Sequence, residues 1–66
     1  MAELFSPTPD DVIAEIEREI RMREQVYAKQ VAARRMSQTM MDRRIELLRE
    51  AIRLIDALAG PRFSPQ

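Results

Sequence analysis

The sequence predicts an all-α protein in which two helices fold back on each other as an antiparallel hairpin. Neither glycine nor proline occurs between residues 10 and 59 of the 66-residue chain, so nothing interrupts a helix there. Apolar residues recur at spacings of three and four in two separate stretches, as they do on one face of a helix. We therefore expect one domain over residues 1–66, with helices at about 9–34 and 38–59. The N-terminal arm, residues 1–7, and the C-terminal tail, residues 61–66, are expected to be flexible.

The first helix has a strong start signal. Thr8 can cap it, Pro9 suits the first helical position because its missing N–H has no partner there, and Asp10 and Asp11 face the positive end of the helix dipole. At about 100° per residue one apolar stripe of ordinary width follows. Its members are Val12, Ile13, Ile16, Ile20, Tyr27 and Val31.

The point where the first helix ends is ambiguous. Ser37 is a candidate N-cap for a second helix, but no glycine or asparagine precedes it to provide a left-handed residue. A continuous helix of roughly 50 residues is therefore an open alternative. Such a helix would expose both apolar stripes, and its heptad frame would place Arg34 in the stripe and skip Ile45. These two observations favour a break near residues 34–37.

The second helix carries two apolar seams and ends at Gly60-Pro61. The inner seam consists of Met41, Ile45, Leu48, Ile52, Ile55 and Ala59. The outer seam, one residue behind it, consists of Met40, Arg44, Leu47, Ala51, Leu54 and Leu58. We expect the inner seam to face the first helix, which leaves the outer seam for another partner.

Oligomerisation is the expected means of stabilising so small a chain. A core of this size rarely supplies more than about 3–5 kcal/mol, and small domains usually add disulfides, a metal or a second subunit. The chain has no cysteine and no histidine, which excludes disulfides and the common zinc sites. We therefore predict a coiled-coil-like homodimer, a four-helix bundle formed through the outer seam.

The charges balance, with 11 basic and 11 acidic residues, which argues against bulk attraction to nucleic acid or to a membrane. Five basic residues nevertheless gather at the turn of the predicted hairpin. This basic end consists of Lys29, Arg34, Arg35, Arg43 and Arg44. It could bind phosphates or an acidic protein surface, or simply be solvated and complement the dipole of the first helix. Arg44 also interrupts the outer seam, where a cation can fix register or meet a partner's acid.

No catalytic constellation is apparent, so we expect neither an enzyme, nor a cofactor, nor a small-molecule substrate. The paired carboxylates, such as Glu15 with Glu19, have arginine neighbours at helical spacing, which indicates a solvated face. No apolar run approaches the about 20 residues needed to span a bilayer, and the N-terminus does not resemble a signal peptide. We expect a cytoplasmic protein that does not bind membranes. Leu4, Phe5 and Phe63 would meet at the open end, either closing the core or anchoring a partner.

Residues 26–38 read VYAKQVAARRMSQ, and residues 42–45 read DRRI. Over about residues 15–56 the chain resembles a group of small helical phage and prophage proteins. Those proteins carry V-Y-P-x-x-V-x-x-G-R-M-[ST]-Q, then A-D-R-R-I and an apolar helix. Ala28 stands where that pattern has proline, and Arg34 stands where it has a glycine that would follow a helix end. The resemblance implies a turn near residues 34–36, a phage origin, and a bacterial cytoplasm as the location.

The resemblance also implies a small protein that binds and modifies a host or phage machine. The leading hypothesis is therefore a homodimeric hairpin that acts by binding a protein. Inhibition of a host defence complex, in the manner of anti-CRISPR proteins, is one version of it. The alternatives are a nucleic-acid-binding accessory protein that uses the basic end, and a structural coiled-coil element.

Overall fold

The computed structural model describes residues 6–60, and within this range the chain forms two helices and no strand. Helix α1 spans Pro9–Ala32 and helix α2 spans Gln38–Ala59, and the two pack against each other. The predicted hairpin is therefore confirmed, with α1 ending two residues before the expected position. The alternative of one continuous helix is wrong. Leu4, Phe5, Phe63 and the tail at 61–66 lie outside the described residues.

Both helices begin at the caps that the sequence indicates. The Thr8 hydroxyl accepts a hydrogen bond from the Asp11 N–H at 3.1 Å, and the Asp11 carboxylate accepts one from the Thr8 N–H at 3.0 Å. This reciprocal capping box satisfies two backbone donors that have no partner within the helix. At the start of α2 the Ser37 hydroxyl accepts a hydrogen bond from the Met40 N–H at 3.0 Å. Short polar side chains thus fix where each helix starts.

Helix α1 ends in a Schellman motif that uses arginine in place of glycine. The Arg35 N–H donates to the Gln30 carbonyl at 2.8 Å, and the Arg34 N–H donates to the Val31 carbonyl at 3.0 Å. These two hydrogen bonds require a left-handed residue directly after the helix cap. Arg34 takes that conformation, with φ of 62°, and no other described non-glycine residue has a positive φ. The helix therefore breaks at the predicted place without the residue that usually allows it.

The core is small and lies where the α1 stripe meets the inner seam. Its three buried side chains are Ile20, Tyr27 and Ile45, and no described side chain is less than 2% exposed. Other apolar side chains pack around these three and are only partly buried. They are Ile16, Met36, Met41, Leu48 and Ile52. As predicted, the inner seam faces α1.

One flank of the hairpin is polar. The Arg49 guanidinium of α2 and the Glu24 carboxylate of α1 form an ion pair at 3.2 Å. The pair shows that Glu24 of α1 lies opposite Arg49 of α2 in the antiparallel hairpin. It lies at one edge of the interface between the two helices. Neither described helix is both long enough and apolar enough to cross a membrane.

Candidate protein interface

The outer seam is exposed along the whole length of α2. Leu47 is 59% exposed, Leu54 is 55% exposed and Leu58 is 87% exposed, and Met40 follows at 44%. Ala51 is half-buried and Arg44 is exposed. Large aliphatic side chains that lie in line and face solvent make this face a candidate surface for binding another molecule.

Helix geometry explains why these side chains cannot join the core. Each residue of the outer seam immediately precedes a residue of the inner seam and therefore points about 100° away from it. Because the inner seam faces α1, the outer seam lies along the flank of the hairpin opposite the pair of Glu24 and Arg49. A single partner helix covers only one of the two seams.

Exposed apolar residues of α1 border the same flank. Val26 is 51% exposed and directly precedes the buried Tyr27, just as the outer seam precedes the inner one. Val12, expected in the core stripe, is 39% exposed and shares a shallow apolar groove with Ile55 and Leu58. Met22, at 50% exposure, lies further round α1. Sequence reasoning missed Val26 and Met22, although the offset of one residue from the stripe could have identified Val26.

Arg44 takes part in a cluster that crosses between the helices on this flank. The Arg23 Nη1 atom donates to the Tyr27 hydroxyl at 3.2 Å, and Arg23 is itself paired with Glu19 at 2.6 Å. Burial acts to raise the pKa of Tyr27, but hydrogen bonds and charge from Arg23 and Arg44 outweigh it, so the pKa is lowered. The pKa of Arg23 is raised, chiefly by its hydrogen bond to Glu19 and then by its hydrogen bond to Tyr27. Arg44 of α2 thus influences the ionisation of Tyr27 of α1.

Most of the cations that form no ion pair gather at the basic end. On the rest of the described chain Arg18, Arg23, Arg49 and Arg53 form ion pairs with glutamates, and Arg21 forms none. At the basic end all five side chains are exposed, and none of them forms an ion pair with a described residue. Besides Arg44, these are Lys29, Arg34, Arg35 and Arg43. Arg34 and Arg35 lie in the turn itself, and Arg43 lies in the first turns of α2.

The described glutamates that form ion pairs do so at the surface of the helices. Glu15 pairs with Arg18, Glu19 with Arg23, and Arg53 bridges two glutamates of α2, all on exposed faces. Across residues 6–60 no three acidic side chains come close enough together to hold a metal ion. The arrangement that stands out is a line of apolar side chains next to a cluster of unpaired cations.

Comparisons with protein families, with curated proteins and with solved structures find no match to this chain.

Proposed function

We propose that this chain is a non-enzymatic protein-binding module that self-associates through the outer seam into a four-helix bundle. The observation that carries the proposal is the line formed by Leu47, Leu54 and Leu58, each more than half exposed. A core with only three buried side chains makes a second subunit the natural source of further burial.

The magnitudes are consistent with a reversible dimer. Covering the exposed parts of Met40, Leu47, Leu54 and Leu58 contributes about 4–7 kcal/mol per chain, from about 1.5–3 kcal/mol per fully buried side chain. Two chains contribute twice that, against an association cost of about 4–15 kcal/mol. The two terms are of similar size, so we expect a weak, reversible dimer with a population of monomers available to exchange.

The proposed biological role is to bind a protein of a phage or of its bacterial host. The resemblance of residues 26–38 and 42–45 to small phage proteins supports that role, and inhibition of a host defence complex is its most specific form. In the bundle Arg34 and Arg35 of the basic end stay accessible, because they lie in the turn beyond the end of the outer seam. They suit an acidic protein surface, because arginine binds carboxylates with two parallel hydrogen bonds.

Self-association is tested by replacing Leu47 and Leu54 together with glutamate. Both side chains are exposed, so helicity measured by circular dichroism should persist while light scattering reports a loss of the dimer. The control places Gln25→Glu and Ala28→Glu on exposed positions of α1, adding the same charge away from the outer seam. That control should remain dimeric. A wild-type chain that is monomeric at high concentration would refute self-association.

A second candidate function, binding of nucleic acid, is favoured by the five cations of the basic end, none of which forms an ion pair with a described residue. Fluorescence anisotropy with labelled DNA or RNA should then show an affinity that falls steeply with salt. The double variant Arg34→Glu with Arg43→Glu should abolish the binding, whereas the Leu47→Glu variant should retain it. An absence of binding at low salt would eliminate this candidate and leave an acidic protein as the partner of the basic end.

A further inference from the structure

The neutral chain is strongly polarised along the hairpin. The pair of Glu24 and Arg49 fixes the level at which the helices oppose each other, so Ile20 lies near the level of residues 52–53. The turn half, residues 21–52, contains eight basic and four acidic residues, for a net charge of +4. The open half, residues 6–20 and 53–60, contains two basic and six acidic residues, for a net charge of −4.

The outer seam has the same spacing in both directions. Its six residues are separated by four, three, four, three and four positions, a series that is unchanged when it is reversed. A seam of this kind matches a second copy of itself that runs antiparallel. A twofold axis near residue 49 would place Met40 of one copy opposite Leu58 of the other. The same axis would place Leu47 opposite Ala51, so that a large side chain meets a small one.

We infer that the outer seam is covered by a second copy of this chain in antiparallel orientation, with the basic turn half of each copy over the acidic open half of the other. The inference rests on the self-association proposed above and adds its geometry. Two features support it, since the spacing of the seam is self-complementary and the two halves of opposite net charge attract each other in this orientation.

The charges exclude a parallel pair as the stable arrangement. Two parallel copies would bring the two halves of charge +4 together, and likewise the two halves of charge −4. Arg43 and Arg44 would then lie near their own counterparts, and like charges that face each other destabilise an interface. In the antiparallel pair, Arg43 and Arg44 lie near the end where Asp11 and Glu15 border Val12 in the other copy.

Cysteine cross-linking tests the orientation, because the chain has no cysteine of its own. A mixture of the Met40→Cys and Leu58→Cys variants should form a mixed disulfide under mild oxidation. Met40→Cys alone should not cross-link, since an antiparallel pair separates the two thiols by about 27 Å along the helix axis. A disulfide requires Cα atoms within about 7 Å of each other. In the control mixture Ala14→Cys replaces Leu58→Cys. Ala14 is exposed on the flank that carries Glu24, away from the outer seam, so this mixture should give only a background level of cross-linking.

The response of dimer affinity to salt provides an independent measure. Attraction between opposite halves predicts a dissociation constant that rises as sodium chloride increases from low to physiological concentration, whereas a parallel pair would show the reverse. Efficient self-cross-linking of Met40→Cys, or affinity that increases with salt, would overturn the antiparallel orientation and leave self-association intact. A monomeric wild-type chain would instead refute self-association and the inference together.

Discussion

At the scale of single residues, Arg34 has the most unusual backbone of the described chain. A left-handed conformation brings the Cβ atom of an L-residue too close to its own carbonyl oxygen, at a cost of about 1–2 kcal/mol. Arg34 accepts this cost at φ of 62° because the hydrogen bonds to Gln30 and Val31 end the helix there. Glycine, which has no Cβ atom, would avoid this cost.

Replacing Arg34 with glycine should therefore stabilise the hairpin. We expect the free energy of unfolding to rise by about 0.5–1 kcal/mol, because the relief of strain exceeds the added flexibility of the unfolded chain. Chemical denaturation followed by circular dichroism measures the change. Arg35→Gly removes the same charge at a residue without positive φ and should destabilise. If both variants shift the midpoint equally, the strain at Arg34 is not the cause.

Tyr27 is the second residue whose surroundings matter, because its hydroxyl accepts a hydrogen bond from Arg23 and Arg44 of the other helix also lowers its pKa. The pKa of Tyr27 is lowered in the folded chain, so ionisation of the phenol favours the folded state. Its contribution to stability is therefore fully present above the unfolded pKa of about 10 and is lost as the pH falls through the folded pKa.

Ultraviolet absorbance should detect this shift directly, since Tyr27 is the only tyrosine and there is no tryptophan. The phenolate should appear at a lower pH in the folded chain than in denaturant. Arg44→Gln should move the midpoint back toward the ordinary value, whereas Arg43→Gln should leave it unchanged. An identical midpoint in the wild type and Arg44→Gln would show that Arg44 does not act on Tyr27.

At the scale of the helices, the caps determine the limits and the seams determine the packing. Each helix starts at a hydroxyl that accepts a backbone hydrogen bond, at Thr8 and at Ser37. Helix α2 ends at Gly60, which has φ of 74°. Between these limits α1 uses one apolar face, while α2 has two and buries only the inner one.

Thr8→Ala should lower the free energy of unfolding by about 1 kcal/mol, because the Asp11 N–H loses its acceptor. Thr39→Ala, an exposed threonine in the first turn of α2, is the matched control and should change stability by no more than a few tenths of a kcal/mol. Thermal or chemical denaturation at fixed protein concentration measures both variants. Equal effects from the two substitutions would contradict the role of the capping box.

At the scale of the whole molecule, the hairpin is a thin structure with two helices and one small contact between them. In such an arrangement one face of α2 remains exposed to solvent, and here that face carries the outer seam. The charge polarity runs along the same axis of the hairpin. A second copy would convert this exposed side into the centre of a bundle.

If the chain dimerises as proposed, its thermal stability should depend on concentration. The melting temperature of the wild type should rise as protein concentration increases, because a dimer is favoured by mass action. The variant with Leu47→Glu and Leu54→Glu should melt at a lower temperature that does not change with concentration. Differential scanning calorimetry over a wide range of concentrations measures this. A constant melting temperature in the wild type would contradict dimerisation.

Local chemistry in the sequence determined the helices, their caps and the two seams of α2. The spacing of apolar residues and the short-range hydrogen bonds at Thr8 and Ser37 involve neighbours only a few positions apart, so the sequence alone predicts them. The sequence also shows that basic and acidic residues balance. The separation of the chain into a basic turn half and an acidic open half depends on how it folds.

Only the tertiary structure decided how α1 stops and which residues of the two helices lie at the same level. Arg34 ends α1 in a left-handed conformation that its side chain disfavours, and the hairpin then packs Ile20 and Tyr27 against Ile45. Arg44 of α2 influences the pKa of Tyr27 of α1 because the antiparallel arrangement brings the two residues to the same level. Contacts between residues distant in sequence depend on how the helices pack, and a pattern of local spacing does not contain that information.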